Sequence, residues 1–170
     1  TIGGNDLDFV KGLYSLWCAD THSGGRGASD QCPAFQPPAA SRYGEVEAAL
    51  RRIAEGVHAR ARQARVIFVD YVSIVPAHGS CDTLGLTPHD AAIMRTIARK
   101  LAAATARAAR ATGSGLLRAS ALTRGHDVCA ADPWSAGPPN PNGMPNMAAF
   151  HPMLPAMTAI AAGLDAMLGK

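Results

Sequence analysis

Charge is scarce in this chain: Asp, Glu, Lys and Arg together make up 17% of its 170 residues, and the net charge is only +3. Arginine supplies 13 of the 16 basic residues. They are spread over two helical stretches, so the basic stripe that gathers phosphates is missing and no nucleic-acid partner is expected. No run approaches the roughly 18 consecutive apolar residues of a membrane span. The first residues are not basic and then apolar, so a signal peptide would have to lie upstream of Thr1. None of the four cysteines stands in a Cys-x-x-Cys arrangement, which removes the usual pattern of a structural zinc site or a redox dithiol. Internal repeats are also absent.

What is present is an apolar chain, 48% hydrophobic, long enough for one α/β domain over residues 1–170 and too short for two of ordinary size. Thr1-Ile2-Gly3-Gly4-Asn5-Asp6 reads as a strand end and a glycine turn. Asn5 or Asp6 then caps a helix whose apolar stripe is Leu7, Val10, Leu13 and Trp17. A strand stub needs neighbours in a parallel sheet, so part of the sheet is expected from outside this sequence. Residues 19 to 40, rich in Gly, Ser, Pro and Asp, read as a long loop. A helix follows with Val46, Leu50, Ile53 and Val57 on its buried face. The continuous apolar run Val66-Ile67-Phe68-Val69 has the character of a parallel strand covered on both faces.

Thr87-Pro88-His89-Asp90 supplies an N-cap, a proline at the first helical position and an acid in the first turn. The helix it starts buries Ile93, Ile97, Leu101 and Ala104 and ends near Gly113. Gly115-Leu116-Leu117 begins a shorter strand, and a proline-rich stretch from 130 to 145 leads to His151-Pro152. The last helix places Leu154, Met157, Ile160 and Leu164 on one face. Strand and helix alternate, which predicts right-handed crossovers and a three-layer α/β/α sandwich around a parallel sheet.

Two segments put polar residues just beyond strand ends, where a parallel sheet holds its active site. In Gly3-Gly4-Asn5-Asp6 a side-chain amide leaves a glycine turn, placed either to donate to a developing oxyanion or only to cap a helix. In Ala148-Ala149-Phe150-His151-Pro152 the proline fixes a histidine at a helix entrance, as a general base or as a cap or surface residue. Gly24-Gly25-Arg26-Gly27 has no preceding strand and reads as a loop rather than a phosphate cradle. His78, Cys81 and His89 match no familiar ligand spacing, so no metal is expected. Cys18, Cys32, Cys81 and Cys129 allow three disulfide pairings or four buried thiols.

Taken together in an alternating α/β chain, the Thr-Ile-Gly-Gly-Asn-Asp and Phe-His-Pro segments resemble the third and fifth sequence blocks of the SGNH (GDSL) hydrolases. Gly125-His126-Asp127-Val128-Cys129 and Asp132-Pro133-Trp134 are similar to the disulfide-bearing loop of the secreted actinobacterial branch. The likeness covers essentially the whole chain. It implies a flavodoxin-like fold of which this is the C-terminal portion, an extracellular esterase or lipase, and disulfides Cys18–Cys32 and Cys81–Cys129. It further implies cleavage of acyl esters through a serine acyl-enzyme, with no metal or organic cofactor. Carried over by position, His151 is the general base and acid, and Asn5, on the Gly3-Gly4 turn, is an oxyanion donor.

The nucleophile of that family belongs to a Gly-Asp-Ser motif near the N-terminus, and this sequence contains none. No serine here follows a strand in a nucleophile-like turn; Ser80 comes closest, in a loop beside Cys81. The serine would therefore come from an upstream segment of roughly 60 residues or more, or from a second chain. Many relatives carry an aspartate three residues before the histidine, where this chain has Ala148. Some use a backbone carbonyl instead, which Ala148 or Trp134 would supply, with Asp132 as an acidic substitute if its loop folds back. Met153 to Met157 also lacks the Asn and Gly usual after His-Pro. Two other readings stand beside the esterase: a carbohydrate deacetylase of the same fold, and a truncated or degenerate module that binds an acyl or glycan ligand without turning it over.

Overall fold

The computed structural model describes residues 3–22, 32–139 and 149–169. The expected strand end Thr1-Ile2 and the Gly24 to Gly27 loop lie outside the described residues. The chain forms a 3-10 turn (Asn5–Leu7), then α1 (Phe9–His22), α2 (Ala40–Arg60), β1 (Ile67–Val69), α3 (Pro88–Ala111), β2 (Gly115–Leu117), the single turn α4 (Ala119–Leu122) and α5 (Leu154–Leu168).

The two strands are parallel, with Ile67 opposite Gly115 and Val69 opposite Leu117, and α3 is the crossover between them. Its start follows the sequence signal: the Thr87 hydroxyl accepts from the Asp90 N–H at 3.1 Å with Pro88 in the first turn. Both α1 and α2 pack on α3. Their shared core includes Leu13, Val46, Leu50, Ile97 and Leu101, with Phe68 of β1 beneath them. The disulfides are Cys18–Cys32 and Cys81–Cys129, with sequence separations of 14 and 48. In the chain-entropy account loops of these sizes contribute about 3 and about 4 kcal/mol.

Three local expectations are corrected. Neither Asn5 nor Asp6 caps α1: Gly4 caps the 3-10 turn, and Asp8 ends it in a left-handed conformation at φ 50° before α1 begins. On α2 the buried stripe is Tyr43, Val46, Leu50 and Ala54, whereas Ile53 and Val57 are exposed. Ile53 sits on the flank of that stripe, and Val57 falls in the last turn of the helix. On α5 only Ala156 is buried, while Leu154 is 74% and Met157 52% exposed. The helix is turned so that Gly163 meets the sheet; a Cβ there would stand 2.8 Å from Leu117 Cδ1. This close approach carries the first-turn apolar residues outward instead of down.

Candidate active site

Gly3 and Gly4 form a turn that only glycine fits. Gly3 has φ 98°, and a Cβ on it would stand 2.9 Å from Val46 Cγ1 and 3.3 Å from Leu101 Cδ1. A Cβ on Gly4 would overlap the Tyr71 ring and hydroxyl. The Gly4 N–H donates to the Tyr71 hydroxyl at 2.9 Å, so this amide shapes the turn and is itself committed. Tyr71 is the second residue beyond β1 and also meets Phe9 edge to face at 5.9 Å. Asn5 leads out of this turn, exposed to solvent.

His151 is held by its neighbours on both sides. Phe150 is 2% exposed and lies at φ 60°, a left-handed conformation that costs a bulky residue about 1–3 kcal/mol. Its N–H donates to the Gly137 carbonyl at 3.2 Å, and the His151 carbonyl accepts from Ala136 N–H at 2.8 Å. Ser135 and Pro152 form an antiparallel bridge, and Met153 N–H donates to the Trp134 carbonyl at 2.7 Å. These bonds tie the histidine to residues 134–137. That strip is tied in turn to the β1 exit, where Ser135 Oγ donates to the Ser73 carbonyl at 3.0 Å; earlier in the same loop Val128 N–H donates to the Ile74 carbonyl at 3.1 Å. The Gly4 turn and the His151 loop are thus anchored to one four-residue segment, Tyr71 to Ile74, at the C-terminal end of β1.

The His151 ring is exposed, and its Nδ1 lies 2.8 Å from the Ala149 carbonyl. A carbonyl oxygen can only accept, so Nδ1 carries the proton and Nε2 keeps its lone pair for a proton from elsewhere. The carbonyl that orients His151 therefore belongs to Ala149, two residues upstream. Ala148 lies outside the described residues. The Trp134 carbonyl accepts from Met153 N–H, and the His151 ring bonds to the Ala149 carbonyl instead. Asp132 does not fold back onto His151 either. Its carboxylate accepts from Trp134 Nε1 at 3.0 Å and lies 3.4 Å from His126 Nδ1. His126 is stacked on the Trp134 ring with centroids 3.8 Å apart.

Two residues of this edge were not singled out from the sequence, Tyr71 and Asp70. Asp70 is buried and accepts from Ser120 N–H at 2.9 Å and from Ser120 Oγ at 2.7 Å. Burial raises its carboxyl above the ordinary value, opposed by those two bonds and by the charge of Arg118. The available signal was a polar pair directly after an apolar run, a mark of a strand's exit. Hydroxyls near this edge are all engaged elsewhere: Ser73 donates to the Ser120 carbonyl, Ser80 to the Leu86 carbonyl, Ser120 to Asp70 and Ser135 to the Ser73 carbonyl. Among the described residues no group of three or more His, Cys, Asp or Glu is gathered as metal ligands, and no helix is long and apolar enough to cross a membrane.

The fold so far is a mixed α/β arrangement with polar turns gathered at the C-terminal end of a short parallel sheet. The chain is related to the SGNH-type secreted lipases of Streptomyces. It is 36% identical over 144 residues to Lipase 2 of Streptomyces coelicolor, a match that spans 77% of this chain and 46% of that lipase. The crystal structure of phospholipase A1 from Streptomyces albidoflavus NA297 superposes with a TM-score of 0.69 at 20% identity, covering 97% of this chain and 66% of that one. An extracellular lipase from Streptomyces rimosus does so with a TM-score of 0.61 at 21% identity, covering 93% and 66%. At these identities the two structures speak for the fold alone. The chain thus spans about half the length of the curated relative. No protein-family model matches it.

Proposed function

We propose that this chain is part of a secreted carboxylic ester hydrolase in which His151 is the general base and acid and Asn5 an oxyanion donor. The nucleophilic serine is contributed from outside these 170 residues, by an upstream segment or a second chain. On this reading the serine Oγ attacks the acyl carbon while its proton passes to His151 Nε2. The carbonyl oxygen takes the negative charge and is met by the Asn5 side-chain amide, and His151 then returns the proton to the leaving alcohol. Water repeats the sequence and frees the acid. The observation that carries the proposal is the orientation of His151, with Nδ1 on the Ala149 carbonyl and the ring open to solvent. The common anchoring of the Gly4 turn and the His151 loop to Tyr71–Ile74 supports a shared cleft. Two disulfides suit an oxidising compartment. The remainder of a three-layer α/β/α sandwich, and a single domain around it, belong to the same proposal.

Base and oxyanion donor cannot form an acyl-enzyme without a nucleophile. Residues 1–170 by themselves are therefore expected to hydrolyse a short-chain aryl ester no faster than buffer and to take up no serine-directed organophosphonate. Restoring a serine-bearing segment, covalently or as a second chain, is expected to bring both activity and labelling. Organophosphonate attached to one of the nine serines of this chain would overturn the reading.

A further inference from the structure

A groove of about 580 Å³ runs along α3, in the size range of small-molecule sites. No residue of α2 or α5 lines it. Val72, Ile74 and Leu116 give it an apolar floor, together with Ala102 on α3. Because α3 crosses over between two parallel strands, it runs antiparallel to them. Its N-terminal half, with Arg99, therefore lies at the same edge as Arg118 and Arg124, which follow β2. All three line the groove and are exposed. From Arg99 to Arg110 at the other end the helix extends roughly 16 Å, the length scale of a long acyl chain.

The arginines around this groove are not equivalent. Arg107 pairs with Glu47 at 2.6 Å, and Arg95 donates to the carbonyls of Pro76 and Gly79. Arg99, Arg110, Arg118 and Arg124 have no carboxylate within ion-pair distance among the described residues, and Arg110 stands apart from the other three at the far end of α3. Asp70 is the one acid on the lining; it is buried and satisfied by both polar groups of Ser120, although Arg118 feels its charge at longer range. Three of these four unpaired guanidinium groups, Arg99, Arg118 and Arg124, stand toward one end of the apolar floor and complement a ligand with one negative head and one apolar tail.

We infer that this groove binds a long-chain fatty-acid carboxylate, its head among Arg99, Arg118 and Arg124 and its tail laid along α3 over Leu116. Neither His151 nor Asn5 lines the groove, although it shares Tyr71 to Ile74 with the segment that anchors both their loops; the inference goes beyond the ester-hydrolase reading and does not rest on it.

Isothermal titration of the purified, delipidated protein with laurate below its micellar concentration tests the inference, with dodecanol, acetate and inorganic phosphate as controls. Laurate is expected to bind saturably, dodecanol at least about tenfold more weakly, and acetate and phosphate not measurably, since the site needs head and tail together. The triple variant Arg99→Gln, Arg118→Gln, Arg124→Gln lies on the surface and should fold; it is expected to weaken laurate about tenfold or more and leave dodecanol unchanged. Ala102→Leu, which fills the floor, should weaken both. His151→Ala should bind laurate as the parent does. Absence of saturable laurate binding overturns the inference, as does indifference to the arginine variant. Phosphate competing as well as laurate would reduce the groove to a small-anion site, and loss of laurate binding in His151→Ala would move the ligand to the ester site; either result refutes it.

Discussion

His126 and His151 each present Nδ1 to a backbone carbonyl, that of Asp132 at 2.9 Å and that of Ala149 at 2.8 Å. Beyond this shared feature their surroundings part. His126 is stacked under Trp134, has the Asp132 carboxylate 3.4 Å from the same nitrogen, and sits in a loop clamped by Cys81–Cys129. His151 has no carboxylate partner among the described residues, and its ring is exposed behind a buried and strained Phe150. The imidazole with the acidic company is the one built into the scaffold, and the sparsely contacted one is free to take a proton. On the proposed assignment, an acidic neighbour is a poor guide to which histidine does chemistry.

The sharpest way to break this comparison is to remove each ring in a form of the protein that carries the serine. His151→Ala is expected to lower kcat/KM by about 10³-fold or more while leaving the melting temperature within about 2 °C. His126→Ala should do the reverse, changing kcat/KM by less than about tenfold and lowering the melting temperature by several degrees, because the Trp134 stack and the Asp132 contacts go with it. If the two phenotypes were exchanged, the assignment of base and scaffold would be exchanged too.

The next largest effect separates the two disulfides. Cys81→Ser with Cys129→Ser is expected to cost about 4 kcal/mol in urea unfolding, and Cys18→Ser with Cys32→Ser about 3 kcal/mol. Only the first pair closes onto the loop whose Val128 bonds to the β1 exit and whose Trp134 carbonyl accepts from Met153 beside the histidine. Activity per folded molecule should therefore fall for the Cys81–Cys129 double variant and hold for the other. Equal losses would mean that the His151 strip is positioned by packing alone.

How far the sequence was legible depended on whether a feature was local. Thr87-Pro88 and the apolar run before Asp70 announce α3 and β1, because capping and strand burial are settled within a few residues. The Gly3-Gly4 turn was equally legible, but the reason no other residue fits there, Tyr71 above and Val46 and Leu101 below, comes from positions far along the chain. The exposed start of α5 was not legible, since helical periodicity defines a stripe without saying how closely Gly163 lets it approach Leu117. The carbonyl beside His151 was not legible for a similar reason. A candidate carbonyl can be counted off in sequence, but whether it is already taken, as Met153 takes that of Trp134, is a matter of pairing across the loop.

The smallest expected effect concerns Asp70, which ties the β1 exit to α4 through Ser120. Its ordinary value is 3.8 and burial raises it, so between 3.8 and the raised value the folded protein holds a proton that the unfolded chain has released. The stability that comes from protonated Asp70 is complete below pH 3.8 and is lost as the pH rises through the folded value. Ionised Asp70 is therefore a net burden near neutrality, even with Ser120 donating twice and Arg118 nearby. An asparagine can accept from Ser120 N–H and donate to Ser120 Oγ, whose own proton rotates to another acceptor, and it does not ionise. Asp70→Asn should thus match the parent below pH 3.8 and exceed it by up to about 1 kcal/mol at pH 7. The check is urea unfolding of both proteins from acid to neutral pH. His126, His151 and every other titrating group are common to the two, so the difference isolates position 70. A parent that gained on Asp70→Asn as the pH rose would show that Ser120 and Arg118 outweigh burial, and that this exit is held by charge.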